Sequence, residues 1–330
     1  MSDPQNSDHD ETQDGRHSPR PATEIAETVS LTESIRGHVE EGGLRYHAYH
    51  AGKYPFPNDE VEQGRDDMMH EMMVTLANSD FSAPVADVLE KGANVLDLVA
   101  DKYPCSDFVG TDLSPIQPET VPPNVQFVLD DYEHEEGWAD EPETYDFIHC
   151  RRIANTVYNM PRLLKQIHDH AATNVPPRHL KPGGWVEFRD LVHSFECDDA
   201  SMTEETTYRP RDFIGLLVQG LTEIGTDVDA VFKMESYLRD AGFINISIQR
   251  FKAPIGRWPT DVTYQFCGEI LRECFHDGLV GMARKPLMAL NWTKLQIEMF
   301  LVEVRQHIND PRYHVYMPFN IIYAQKPPKD

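Results

Sequence analysis

The amino-acid sequence predicts an α/β protein built around a mostly parallel sheet. Between Gly92 and Asp190, short apolar runs are each followed by an acidic or turn residue. This pattern is typical of parallel strands whose loops lie at their carboxyl ends. Two later stretches with strand-like patterns extend the predicted sheet. The seven candidate strands cover residues 94–97, 108–112, 125–131, 145–149, 185–188, 243–251 and 315–324.

Helical patterns flank these strands. Met68, Met69, Met72, Met73 and Leu76 are spaced by three and four residues, which places them on one apolar face of a helix before the first strand. We interpret this helix as part of the core, the alternative being a methionine-lined pocket for a flexible ligand. Further helical patterns cover residues 161–172, 212–241 and 260–308, and a glycine at position 242 is a suitable helix end.

Composition excludes several classes of protein. The 330 residues include 55 Asp and Glu against 30 Lys and Arg, a formal charge of −25, which disfavours nucleic acid and anionic membranes as partners. No apolar run approaches the roughly 18 residues of a membrane span, and the first residues are acidic, unlike a secretory signal. We therefore expect an intracellular protein, cytoplasmic or nuclear. The five cysteines are scattered and show neither a disulfide framework nor zinc-site spacing, so no structural metal is expected.

Three regions follow from the patterning. Residues 1–40 are polar, acidic and poor in aromatic residues, which predicts a disordered acidic tail. Residues 41–91 form a predicted N-terminal helical cap segment. Residues 92–330 form the main domain, with helical insertions at about 200–240 and 260–310. The acidic tail suits a protein partner, although such tails often serve only to solvate a protein.

Four carboxylates follow successive predicted strands: Asp97, Asp112, Asp130 and Asp131. In an open α/β sheet, ligands bind beyond the carboxyl ends of the strands. A carboxylate after the second strand can accept the vicinal hydroxyls of a ribose, and one after the third can accept an adenine amino group. Any single one of these acids can instead be a helix cap or turn residue, but their recurrence favours a nucleoside site.

The sequence stretches around these acids resemble those of class I S-adenosylmethionine-dependent methyltransferases, specifically the fungal LaeA-like group. The resemblance covers about residues 44 to 328. It implies a Rossmann-like, seven-stranded, mostly parallel sheet with helices on both faces and an antiparallel last strand. The matching stretches are RYH at 45–47, YPFPNDE at 54–60, ADKYP at 100–104, VGTDLSPIQP at 109–118, VPPNVQF at 121–127, YDFIHCR at 145–151, LKPGGWVE at 180–187, AGF at 241–243 and PIGRWP at 254–259.

The same resemblance implies S-adenosyl-L-methionine as the methyl donor. By position, Asp112 would hold the ribose and Asp130 or Asp131 the adenine, with Asp97 as a further cofactor-binding residue. One departure concerns the loop after Asp97, because the family's glycine-rich motif and most of its helix, on the order of ten residues, are missing there. Those glycines let the backbone approach the donor's methionine half, so we expect weakened donor binding. Either the chain is degenerate here or the gene model has lost a segment.

The residues offer one candidate catalytic group. His149 is predicted just past the fourth strand, where an imidazole could accept a proton from a hydroxyl acceptor. The alternative is a histidine bonded to neighbouring backbone. Asp190 is placed after the fifth strand, where it could contact an acceptor, although a solvated turn acid is the preferred interpretation. A metal site at His168, Asp169 and His170 is discounted, because helical residues two apart point in different directions.

Two functions follow from these features. The leading one is an S-adenosylmethionine-dependent methyltransferase of fungal secondary metabolism that acts on a small-molecule acceptor, with impaired donor binding. The alternative is a catalytically degenerate methyltransferase-fold protein with a regulatory or scaffolding role in secondary-metabolite biosynthesis. A nicotinamide-dependent oxidoreductase is disfavoured, because no G-x-G-x-x-G follows any strand.

Overall fold

The computed structural model of the chain describes residues 37–96, 102–116, 120–134, 138, 143–168 and 179–329. The strands are β1 His38–Glu41, β2 Leu44–His47, β3 Asn94–Leu96, β4 Asp107–Asp112, β5 Val125–Leu129, β6 Tyr145–Arg151, β7 Leu180–Leu191, β8 Glu196–Cys197, β9 Ile244–Pro254 and β10 Val315–Gln325. The helices are α1 Glu60–Ala77, α2 Ala86–Lys91, α3 Met160–His168, α4 Arg209–Ile224, α5 Ala230–Asp240, α6 Val262–Ala289 and α7 Lys294–Ile308.

The central sheet has the strand order β5-β4-β3-β6-β7-β10, with β9 on the other side of β10. Strands β3 to β7 pair in parallel. β10 runs antiparallel to β7 and β9 runs antiparallel to β10, so the last strand in the chain is the reversed one. The short strand β8 pairs with the beginning of β10. The predicted mostly parallel sheet with an antiparallel last strand is confirmed.

The fifth parallel strand begins earlier than the sequence suggested. β7 starts at Leu180 and not at Trp185, and its register with β6 shifts between Tyr145 and Phe147. The irregularity includes Gly183, whose φ is +81°, and Gly184, where a Cβ would lie 2.9 Å from a backbone oxygen of Asp146. A sequence that reads as a turn before a strand is therefore an irregular beginning of the strand itself.

Both faces of the sheet are covered. Leu96 and Ile148 belong to a buried cluster that includes α3 and α5, whereas Val95 and Phe147 belong to a second cluster that includes α2. Neighbouring residues of one strand thus join different cores, as side-chain alternation requires. Because β3, β4 and β6 are parallel, their carboxyl ends meet at one edge of the sheet, and this edge carries the site described below.

The N-terminal cap consists of the β1–β2 hairpin, residues 48–59 and α1. Asp59 caps α1 by accepting a hydrogen bond from the Glu62 N–H at 3.1 Å. The methionine face is part of the core, as predicted, with Met69, Met72 and Met73 each at most 3% exposed. The strand β1 crosses residue 40, the boundary suggested for the tail.

Helix α1 packs closely against α6. A Cβ at Gly278 would lie 2.7 Å from Cδ of Arg65, and one at Gly281 would lie 2.8 Å from Cγ of Pro57. At the same contact, the buried Cys274 Sγ approaches the Arg65 carbonyl at 3.6 Å. The cap is therefore fitted to α6 through positions where only glycine leaves enough space.

Two helices lie in each of the stretches 209–240 and 262–308. Helix α4 ends at Gly225, whose φ is +100°, and α5 begins only at Ala230. Helix α6 is separated from α7 by residues 290–293. Within the described ranges, no helix is both long and apolar enough to cross a membrane.

Several predictions lie outside the described residues. These are the tail over residues 1–36, Asp97 with the short segment to residue 101, and Asp169 with His170.

Candidate functional site

A cleft of about 330 Å³ opens at the carboxyl edge of the parallel strands. One wall comes from the ends of β3, β4 and β6, and the other from α1 and the segment Tyr54–Asn58 before it. Its volume is within the range of small-molecule and cofactor sites. A cleft therefore lies beyond the strand ends, where the sequence predicts a ligand.

Asp112 is the last residue of β4 and lines this cleft. It accepts a hydrogen bond from the Ser114 N–H at 2.7 Å, which orients the carboxylate. The residue is exposed, yet desolvation by the surrounding protein raises the pKa of its carboxyl to about 6. The carboxylate form therefore prevails at neutral pH, and it has oxygen lone pairs for donors such as a pair of ribose hydroxyls.

Asp131 has a different environment, although it follows the neighbouring strand β5. It is 2% exposed, and it forms ion pairs with Lys53 and with His50, the latter at 3.0 Å. It also accepts the Glu133 N–H at 2.9 Å. Burial alone would raise the pKa of Asp131, but the hydrogen bonds from Lys53, Glu133 and His50 hold it below its usual value.

Asp130 accepts the Asp131 N–H at 2.7 Å. Of the four predicted carboxylates, Asp112 is among the described residues that line the cleft, and Asp130 and Asp131 are not. An adenine contact by either of them stays a prediction. For Asp131, the adenine would have to share the carboxylate with His50 and Lys53 of the N-terminal cap. The ion pair between Lys53 and Asp131 is not visible in the sequence, because the two residues lie far apart in the chain.

Two further hydrogen bonds attach the cap over this edge of the sheet. Asn58 Nδ2 donates to Ser114 Oγ at 3.0 Å, in a buried position two residues beyond Asp112. The Tyr158 hydroxyl donates to the Lys53 carbonyl at 2.6 Å. The YPFPNDE stretch thus forms a wall of the cleft, which explains why its residues lie close to the strand-end acids.

His149 also lines the cleft, but it lies within β6 and not just past it, because the strand continues to Arg151. Its side chain is 1% exposed, and Nε2 is 3.6 Å from Glu187 Oε1. The ring of Phe81 meets the imidazole edge to face at 5.2 Å. Glu187 is itself bonded by Arg189 at 2.6 Å, so His149 belongs to a buried polar cluster beneath the cleft.

A second, smaller cavity lies further inside. This inner pocket has a volume of about 70 Å³ and lies between the end of β7 and the helices α4 and α6. It shares Tyr54, Arg152 and Thr156 with the cleft, so the two cavities adjoin. Arg152 forms an ion pair with Asp66 of α1 at this junction. Burial and the nearby Arg65 lower the pKa of the Arg152 guanidinium.

Two ionisable residues near the inner pocket, Asp190 and His193, have environments that the sequence does not predict. Asp190 lies in β7, 3% exposed, and accepts the Ala154 N–H at 3.0 Å, so it is not a solvated turn acid. Burial raises its pKa to about 7. Burial, with a smaller effect of Arg152, lowers the pKa of His193 to about 4, so that imidazole is neutral at physiological pH.

A mostly parallel α/β sheet with a cleft beyond the carboxyl ends of its strands is typical of proteins that bind nucleotide-like ligands. A family model described as a methyltransferase domain matches residues 76–248, and the chain belongs to that family. Methyltransferase pytC of Aspergillus terreus is 35% identical over 312 residues, which cover 91% of each chain. The secondary metabolism regulator laeA of Aspergillus flavus is 28% identical, over 87% of this chain and 77% of that protein.

A third relative is the protein-methionine methyltransferase laeA of Emericella nidulans, also 28% identical, over 87% of this chain and 76% of that protein. The chain is thus a methyltransferase-fold protein whose fungal relatives include proteins named as secondary metabolism regulators. S-adenosylmethionine is the methyl donor of this family, and the cleft of about 330 Å³ has the size of a cofactor site, whereas the ribose contact of Asp112 stays a prediction.

Proposed function

We propose that the protein methylates a small-molecule acceptor that reaches the donor from the inner pocket. The observation that carries this proposal is the junction of the two cavities at Tyr54, Arg152 and Thr156. A donor held by Asp112 in the cleft and an acceptor in the inner pocket would meet at that junction. A pocket of about 70 Å³ with mostly apolar walls suits part of a small molecule better than a folded protein surface.

S-adenosylmethionine, when bound, supplies a methyl group on a positively charged sulfur. The protein's own contribution is mainly alignment, because displacement at this methyl depends on the acceptor atom approaching in line. Asp112 would hold the ribose, and the cap segment Tyr54–Asn58 would limit access of water to the cleft. Asn58 keeps that segment against Ser114, so the wall is fixed close to the ribose side.

We propose His149 as a proton acceptor for a hydroxyl or amine acceptor, with Glu187 as the group that would stabilise its protonated form. The His149→Gln variant should lower turnover more than donor affinity, because a base acts in the transition state. Parallel measurement of the initial rate and of the donor dissociation constant tests this. Equal losses in both, or no loss, would assign His149 to the buried polar cluster alone.

The second candidate function is regulatory, with a protein acceptor or none. The observation that favours it is the interval of residues 97–106 between β3 and β4, too short for a glycine-rich loop followed by a long helix. The laeA relative of Emericella nidulans carries the name of a protein-methionine methyltransferase. Here the acidic N-terminal residues would meet the protein partner.

One experiment separates the two functions. The purified chain is titrated calorimetrically with S-adenosylmethionine and, separately, with adenosine, and is then incubated with methyl-labelled donor and extracts fractionated by size. Label in the small-molecule fraction, together with tighter binding of the donor than of adenosine, supports the small-molecule enzyme. Label on protein supports the protein acceptor. Equal affinity for both ligands with no transfer supports the catalytically degenerate protein.

A further inference from the structure

The walls of the inner pocket are mostly apolar. Ile214 and Leu217 of α4 face it from one side, and Leu271 and Phe275 of α6 from another, each at most 5% exposed. Such walls are typical of a site that buries the hydrocarbon part of a ligand. The few polar atoms among them then decide which ligand fits.

Asn155 supplies the most informative of these polar atoms. The residue is 8% exposed and lines the inner pocket. Its Nδ2 donates to the Leu191 carbonyl at 2.9 Å, which identifies the nitrogen end of the amide. The remaining atom, Oδ1, is buried and accepts no hydrogen bond from the residues that the structure describes.

A buried acceptor without a donor is unfavourable, and most such atoms in folded proteins are satisfied by protein, water or ligand. His193 Nδ1, in the lining of the same pocket, also lacks a partner among the described residues. The lining also includes Arg152 and Thr156, but Asn155 Oδ1 is an acceptor without a donor among the described residues, which favours a ligand that brings at least one O–H or N–H group.

We propose that the inner pocket selects acceptors with an apolar group that carries a hydroxyl or amine, whose hydrogen is donated to Asn155 Oδ1. The proposal rests on the proposed function and names the substrate class of that site. The volume of about 70 Å³ is roughly half of a ~150 Å³ cavity that holds benzene, so part of the acceptor extends into the cleft. A methionine thioether has no such hydrogen, so a methionine side chain would leave Asn155 unsatisfied.

The test compares phenol with toluene, which have nearly the same shape and differ in one donor. Both probes are titrated into the full chain by ligand-observed NMR, without and with S-adenosylhomocysteine. We expect phenol to bind about tenfold more tightly, because a site built to receive a donor rejects the analogue that lacks it. In Asn155→Leu the preference should disappear, with toluene binding at least as well as phenol.

A second pair of variants covers the case in which Asn155→Leu does not fold. Ile214→Phe fills the pocket and should abolish binding of both probes, whereas Leu221→Phe adds the same volume to α4 at a buried position outside the pocket lining and should retain binding. Equal affinity of the wild type for the two probes, absence of saturable phenol binding, or an unchanged preference in Asn155→Leu overturns the proposal. So does unchanged phenol binding in Ile214→Phe.

Calorimetry with S-adenosylmethionine on each variant keeps this result separate from the proposed function. Donor binding without a preference for phenol would refute the proposed substrate class but not the proposed function. Phenol selectivity without donor binding or methyl transfer would refute the proposed enzyme and leave a small-molecule binding site.

Discussion

Asp112 and Asp131 follow neighbouring parallel strands, yet their carboxylates have opposite environments. Asp112 is exposed in the cleft, and desolvation raises its pKa to about 6. Asp131 is buried under Lys53 and His50, and their hydrogen bonds hold its pKa below the usual value. One acid is available to a ligand, while the other holds the N-terminal cap on the sheet.

The difference shows that an acid at a strand end acquires its role from the segment packed above it. Near Asp112, Asn58 of the cap donates a hydrogen bond to Ser114, and the Asp112 carboxylate remains in the cleft. Above Asp131, the cap contributes a lysine and a histidine from the same short stretch. Four experiments test whether the two acids are as distinct as their surroundings suggest.

The largest effect is expected for Asp112→Asn. Loss of charge-assisted hydrogen bonds to the ribose should weaken S-adenosylmethionine binding by about 2–3 kcal/mol, roughly 30- to 150-fold, with little change in the unfolding temperature. Isothermal titration calorimetry measures the affinity. Asp107→Asn, at the other end of β4, is the matched control and should bind normally. An unchanged donor affinity in Asp112→Asn would remove this residue from the ribose site.

Asp131→Asn should instead act on stability. The amide can still accept the Glu133 N–H, but the attraction to Lys53 and His50 is lost, so we expect a decrease of about 2 kcal/mol in the free energy of unfolding at pH 7. Urea denaturation measures it. Because the folded-state pKa is lowered, the wild type loses this contribution only below about pH 4. A larger effect on donor binding than on stability would contradict the assignment.

The two acids should also respond differently to pH. With the proposed role of Asp112 at the ribose, donor binding would need its carboxylate, and removing its proton costs free energy below a pKa of about 6. Affinity should therefore be constant above about pH 7 and fall about tenfold by pH 5. Titrations in matched buffers measure this, and Asp112→Asn should abolish the dependence. An affinity that falls equally in wild type and variant would point to another group.

The smallest effect concerns the ion pair above Asp131. Lys53 is 30% exposed at its side chain, so its coupling to Asp131 is partly screened and should be about 1 kcal/mol. A double-mutant cycle of Lys53→Met and Asp131→Asn, followed by chemical denaturation, isolates that coupling. Additive effects of the two substitutions would mean that His50 and the Glu133 N–H suffice to hold the carboxylate.

Much of the fold could be predicted because its signals are local. Strand β4 ends at Asp112 in both prediction and structure, since an apolar run stops where the chain reaches the cleft. The sequence predicts His149 just past the fourth strand, because it does not show that β6 continues through polar residues to Arg151. The burial of Asp190 was missed for a related reason, since β7 extends past the apolar run and is covered there.

The inner pocket could not be predicted from local pattern. Asn155, Ile214 and Leu271 are separated by more than fifty residues each, and only packing of α4 and α6 against β7 brings them together. In the sequence, Asn155 reads as an ordinary turn residue. Its unsatisfied oxygen becomes visible only when the partner of its nitrogen is known.

The close contact of α1 with α6 also gives the protein an internal reporter of cap opening. Cys267 and Cys274 are buried in α6, and burial raises the pKa of each thiol to about 11, whereas Cys105 is exposed. Thiolates, and not thiols, react with disulfide reagents. The exposed Cys105 should be modified first, and the rate of modification of the α6 thiols should report how often α1 separates from α6.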